Sequence, residues 1–346
     1  MEASGKTITA ELSAQPLLIG TSGDSLREAF GKTLVQLAPK YTNFVVFDAD
    51  IAGGTGVHHF RKAYPGRFFQ FGIAEQNMMA AAGGFASTGV IPFVTTFAVF
   101  CLRAIEQARL SIAYARRNVK IVASHPGLDT GPDGASAQAT EDLAAFRAIP
   151  GMVVLSPADP LEIEQATEAI LNYDGPVYMR SGRSKARRIL EASYKFEIGK
   201  GRVLRNGTDV TIIACGVQVA RALDAAELLA KDGIAARVVN MSTIKPLDKE
   251  MVARCSEETG CIVTTEDHNI HGGLGSAVAE AAVQSRPCPI EMVGVQDTFG
   301  ESGEPEEVAE KYGLTGAYIA AAAQRAMARQ AKSRLHSDNC EIEGSE

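Results

Sequence analysis

Short runs of β-branched and aromatic residues recur along this chain, each separated from the next by about one helix-length of sequence. "NFVVFDAD" (43–50), "RFFQFG" (67–72), "IPFVTTF" (91–97), "VKIVASH" (119–125), "MVVLSP" (152–157) and "PVYMRSG" (176–182) read as buried strands. Between them, the apolar periodicity of 24–38, 74–88, 100–116 and 159–172 predicts helices. A second series follows, with strands "VTIIACG" (210–216), "ARVVNMS" (236–242), "CIVTTED" (261–267) and "IEMVGV" (290–295). Helices are predicted beside them at about 217–232, 248–258, 274–285 and 315–330. Strands that alternate with helices pair in parallel and are covered on both faces. The fold class is therefore α/β, with two doubly wound, mostly parallel sheets.

The rhythm breaks once. "GRSKARRILEASYKFEIGKGRVLRNG" (182–207) is rich in Lys and Arg and poor in core-type periodicity, so it reads as a connection. The predicted organisation is an N-terminal extension (1–21), a first domain (22–183), a linker (184–208), a second domain (209–330) and a flexible, polar tail (331–346). A length of 346 residues holds two such domains, each with a core. A net charge of −7 argues against a nucleic-acid binder. "MEASGKTITAELSAQ" lacks the basic start and apolar block of a secretory signal. Cysteines 101, 215, 255, 261, 288 and 340 form no CxxC pair, which points to a reduced, cytoplasmic protein. Cys255, Cys261, His268 and His271 match no zinc-ligand spacing, and no metal ligand is assigned to this chain.

From Gln76 through Leu102 there is no Asp, Glu, Lys or Arg. The run is long enough for a membrane span, but Gly83, Gly84, Gly89 and Pro92 break it into helix, turn, strand and second helix. Glu75 stands at its head, in "GIAEQNM", with no cation within several residues. Desolvation disfavours the charged form of a carboxylate. Glu75 therefore either lies at a surface helix N-terminus, favoured by the dipole, or pairs with a distant Arg, or faces a ligand that carries a proton on a ring nitrogen. Phe97 and Phe100, three apart in "TTFAVF", share a face if a helix begins there. The long Gly/Pro/Asp-rich segment "ASHPGLDTGPDGASAQATED" (123–142) follows a strand, where α/β sheets bind ligands. There is no dinucleotide fingerprint, no Walker lysine motif and no nucleophile elbow.

"FGIAEQNMMAAAGGFASTGVIPFVTTFAVF", "GPDGASAQATEDLAAFRAIPGMVVLSPAD" and "GPVYMRSGR" together resemble the pyrimidine-binding domain of transketolases, and "DTFGESGEPEEVAEKYGLT" (297–315) resembles their C-terminal domain. The likeness spans about residues 22–330 in order. It implies thiamine diphosphate as cofactor, with Glu75 handling a proton at the far nitrogen of the aminopyrimidine ring. It further implies Phe97 and Phe100 as the aromatic wall of that ring and Asp50 as a cofactor-proximal acid. Arg27, His125 and Arg183 match positions that grip a sugar phosphate, and Asp133 matches the residue that checks the hydroxyl next to the ketose carbonyl. Two positions depart from the pattern. Ala137, in "DGASAQ", stands where the family has a histidine at the donor's reacting end, and Arg103 stands at an aromatic position, where it meets the acceptor or merely a neighbour.

The family binds the diphosphate through Mg2+ in another domain, marked by Gly-Asp-Gly and, some thirty residues on, Asn. No Gly-Asp-Gly occurs in this sequence. The expectation is a C-terminal subunit of a split transketolase. An N-terminal partner subunit supplies Mg2+ and the diphosphate site, in an α2β2 heterotetramer acting on sugar phosphates by two-carbon ketol transfer. The alternatives are a 2-oxo acid dehydrogenase β-type subunit, a pyruvate-using synthase subunit or a non-catalytic pairing subunit.

Overall fold

The computed structural model describes residues 23–343, and side chains through residue 332. The N-terminal extension, with the segment read for a signal, lies outside the described residues, as does the side chain of Cys340. Twelve strands run in chain order: β1 (Phe44–Asp48), β2 (Phe68–Gln70), β3 (Ile91–Phe97), β4 (Lys120–Ser124), β5 (Val153–Leu155), β6 (Val177–Ser181), β7 (Arg202–Arg205), β8 (Val210–Ala214), β9 (Ala236–Asn240), β10 (Thr243–Lys245), β11 (Ile262–Asn269) and β12 (Ile290–Val295).

Among the described residues these strands form two sheets, in the orders β10-β5-β6-β4-β3-β1-β2 and β12-β11-β8-β9-β7. Pairing is parallel except at two edges, β10 on β5 and β7 on β9. The predicted α/β class with two mostly parallel sheets is therefore observed. The central strands β3, β4, β6 and β8 are almost entirely buried, as expected of sheets covered on both faces.

The uncharged run folds as the helix Glu75–Ala86, strand β3 and the helix Ala98–Arg103. No helix among the described residues is long and apolar enough to cross a membrane. Several elements depart from the sequence expectation. The stretch 100–116 is one helix by periodicity, yet it breaks at Ala104 and ends in a π-helical segment, Ala108–Tyr114. Strand β7 rises from within the expected linker, and the last helix runs Gly316–Glu343, into the segment expected to be a loose tail.

The larger difference is β10. It follows β9 in the chain but pairs with β5 of the first sheet, Thr243 opposite Leu155 and Lys245 opposite Val154. Lys245 Nζ donates to the carbonyls of Arg147 and Ile149 at 2.8 and 2.6 Å, capping the end of the helix Asp142–Ala148. Accordingly, one apolar cluster runs between the sheets, joining Ile121 and Tyr178 of the first, and Met78 of the helix Glu75–Ala86, to Ile213, Val239 and Ile262 of the second. Two further clusters lie on the outer faces.

Candidate active site

Parallel register decides what meets at the carboxyl edge of the first sheet. Asp48 lies opposite Thr95, so Asp50 and Phe97, each two residues on, leave their strands side by side. Phe97 lies opposite Ser124, and Ser124 opposite Ser181. His125 and Arg183 thus emerge at the same edge, where open α/β sheets hold ligands. Asp50 and His125 both have left-handed backbones, at φ +66° and +57°. Non-glycine residues in that region are strained and concentrate at functional sites.

Glu75 opens the helix Glu75–Ala86 but is only 4% exposed, so the surface reading of it falls. Its Oε2 is buried with no hydrogen-bond partner among the described residues. Leaving such an acceptor unpaired costs about 1–3 kcal/mol, which a structural residue would not need to incur. The helix packs on Ala98–Arg103, where burial first, then the Asp142 and Glu75 carboxylates, push the Cys101 thiol's pKa up.

Phe97 is the last residue of β3 rather than part of the helix it caps, yet its ring stacks with Phe100 at 5.4 Å and 9°. The imidazole of His125 lies over Phe97 at 3.6 Å between centroids. A Cβ at Gly54 would stand 2.6 Å from the Phe97 ring, so position 54 can only be glycine without displacing it.

Four of the expected residues converge. Asp133 Oδ2 lies 3.6 Å from Arg183 Nε and 3.6 Å from His125 Nε2. Arg27 Nη1 donates to the Gly54 carbonyl at 3.2 Å, while its Nε is buried without a partner among the described residues. Burial and the Arg183 charge pull the Arg27 guanidinium below its usual range. Burial first, then Arg27 and Arg183, push His125 down to about 3. His125 is therefore a neutral hydrogen-bonding group at neutral pH, not the third cation of a clamp. Its Nδ1 faces Ser124 Oγ at 3.0 Å.

Three expected positions stand apart from this convergence. The Asp50 side chain is exposed, and only its backbone N–H is held, by Gln70 at 2.9 Å. The buried acid of "FDAD" is instead Asp48, whose Oδ2 accepts from Ile51 N–H and Gln70 Nε2 while Oδ1 has no partner among the described residues. Arg103 is exposed at the end of its helix and makes no ion pair among the described residues. Ala137 is 8% exposed and lines the loop with no polar side-chain atom to offer.

The second domain supplies residues that the sequence did not single out. Asp267, in β11, accepts from the N–H groups of Leu128 and Asp129 at 2.8 and 2.9 Å and so holds the loop that carries Asp133. Arg180 binds Asp142 through Nε at 2.8 Å and Nη2, and donates from Nη1 to the Asp267 carbonyl at 2.9 Å. Burial alone would raise the Asp142 carboxyl, but Arg180 holds it below the usual range. Of the four residues without a zinc-ligand spacing, Cys255 and Cys261 are buried thiols, His268 Nδ1 contacts the Asn269 carbonyl at 2.6 Å, and His271 is exposed.

The site thus combines a buried, unpartnered acid, a ring stack on the helix packed against it, and two guanidiniums at the same sheet edge. Comparison with known proteins gives the family. The family model described as transketolase, pyrimidine binding domain, matches residues 22–188, and transketolase, C-terminal domain, matches residues 199–319. A transketolase C-terminal section from Methanocaldococcus jannaschii is 46% identical, covering 85% of this chain and 94% of that protein. A 6-deoxy-6-sulfo-D-fructose transketolase subunit from Clostridium sp. is 42% identical, covering 91% and 98%. A solved split-gene transketolase, an inactive β4 tetramer, aligns at 47% identity and a TM-score of 0.84, over 89% of this chain and 100% of that one. The chain belongs to the transketolase family and corresponds to its C-terminal part.

Proposed function

We propose that this chain is the C-terminal subunit of a two-chain, thiamine diphosphate-dependent transketolase that moves a two-carbon ketol unit from a phosphorylated ketose to an aldehyde. The observation that carries the reading is the buried, unpartnered Oε2 of Glu75, on a helix packed against the one that carries Phe100. A carboxyl group kept free of protein partners at that point fits the aminopyrimidine of the cofactor. When bound, thiamine diphosphate supplies the carbon nucleophile.

Glu75 holds and moves a proton at the pyrimidine ring nitrogen. Phe97 and Phe100 pack against the heterocycle, exposed Asp50 faces the cofactor from the turn after the neighbouring strand, and the stack and the uncharged run exclude water. Arg27 and Arg183 neutralise the substrate phosphate, with planar guanidiniums suited to bidentate contact. Neutral His125 exchanges a hydrogen bond with a sugar oxygen. Asp133 turns from Arg183 to the substrate hydroxyl. Ala137 leaves the donor's reacting end without one side-chain hydrogen bond, and exposed Arg103 offers a charge to the acceptor; both bear on which sugar is taken.

Mg2+ and the diphosphate site come from an N-terminal partner, in an α2β2 assembly. Support comes from the missing Gly-Asp-Gly motif and from relatives that are themselves subunits, among them one of an apulose-4-phosphate transketolase from Phocaeicola vulgatus, at 36% identity. The test mixes the purified chain with a partner bearing Gly-Asp-Gly and Asn, thiamine diphosphate, Mg2+ and a series of ketose phosphates. Turnover is expected only with both chains, and turnover by this chain alone overturns the reading.

A further inference from the structure

We propose that Glu28, His58 and His59 form a binding site for one Zn2+-class divalent ion. One ligand atom from each of the three lies within 4.8 Å of the other two. His59 Nε2 and Glu28 Oε2 are 2.8 Å apart. The His58 and His59 rings lie against each other at a tilt, with centroids 4.0 Å apart and planes at 37°. All three side chains are half-buried. A plain surface ion pair accounts for His59 and Glu28 but not for His58, whose Nδ1 is buried without a hydrogen-bond partner among the described residues. Asp24, paired with Lys32, adds a second negative group near His59.

Two imidazoles and one carboxylate are the donor set of an open tetrahedral zinc centre, with water in the fourth position. Nitrogen donors disfavour Mg2+ and Ca2+, which take oxygen shells. Bonds of about 2.0–2.2 Å in a tetrahedron set the ligand atoms roughly 3.4 Å apart. The His59–Glu28 contact must open and the widest separation must close, each by about an ångström, which side-chain rotation supplies.

The ion would join two elements. Glu28 lies in the first turn of the helix Leu26–Leu37, directly after Arg27, and the histidines open the helix His58–Ala63. Arg27 already donates to the Gly54 carbonyl, four residues before His58. A metal bridge would brace Arg27 at the sheet edge. The inference does not rest on the transketolase reading.

Isothermal titration of the full chain with ZnCl2, alone and in excess Mg2+, tests it alongside H58N, H59N, E28Q and H271N, the last a control at an exposed histidine. Uptake of about one equivalent is expected, unaffected by Mg2+ and unchanged in H271N. Each of the other three variants should weaken binding by about tenfold or more. No uptake up to about 1 mM Zn2+, or less than tenfold weakening in all three variants, overturns the site. Circular dichroism checks their folding. If the variants do not fold, wild-type crystals soaked in ZnCl2 decide: an anomalous peak between the three side chains supports the site, and its absence there overturns it.

Discussion

The imidazole of His125 lies nearly flat on the ring of Phe97, 3.6 Å between centroids and 21° from parallel. The contact buries the imidazole beside two guanidiniums, which pushes it down to about 3. A histidine with a depressed native pKa binds fewer protons folded than unfolded between about pH 3 and the ordinary value near 6.5. Its contribution to stability is complete above about pH 6.5 and is lost as pH falls through that window, by up to about 1.4 kcal/mol per unit. Urea unfolding at stepped pH should show this slope, and His125→Asn should remove it. The His125 ring resonances should stay in the neutral form down to about pH 4.5.

Gly54→Ala should cost about 1–3 kcal/mol, because the new methyl meets a ring already flanked by Phe100 and His125. Thermal unfolding measures the loss. A variant as stable as the parent would mean that the stack shifts freely.

Glu75→Gln keeps the shape but not the proton-carrying carboxyl. Since Oε2 has no partner to lose, stability should stay within about 1 kcal/mol or rise. Turnover of the two-chain enzyme should fall by about 10²–10⁴. Urea midpoints and kcat on one preparation separate the two effects.

Arg180→Met should be among the most damaging single changes, at about 3–5 kcal/mol, because it leaves Asp142 charged and fully buried. Replacing Arg180 and Asp142 together by apolar residues should recover part of that loss. A double-mutant cycle in urea gives the coupling.

Asp267→Ala should free the N–H groups of Leu128 and Asp129 and loosen the loop that carries Asp133. Hydrogen exchange should quicken there while the strands of the first sheet keep their protection. Unchanged exchange at 128–133 would show that other contacts hold the loop.

Ten of the twelve strands among the described residues were legible because buried parallel strands are continuous apolar runs, and Ile91–Phe97 and Ile290–Val295 begin and end where their residues predict; the two missed, β7 and β10, are the antiparallel edge strands. The isolation of Glu75 in an uncharged stretch left three readings open, of which its 4% exposure removes the surface one, and Arg27, His125, Asp133 and Arg183 were singled out only through family likeness. Three features carried no local signal. Thr243–Lys245 is too short to show a period and pairs with residues about ninety positions earlier. The break at Ala104 leaves the apolar periodicity of 100–116 intact while changing its hydrogen bonding. Glu28 and His59 are 31 residues apart, a separation that no ligand pattern encodes.

Strand β10 makes the connection between the domains less of a boundary than its charged, irregular sequence suggests. A protease that nicked the chain within 184–208 would produce two fragments that elute together on a sizing column, each still gripping the other's sheet. A fragment ending before residue 243 would lack the outermost strand of the very sheet it was meant to isolate.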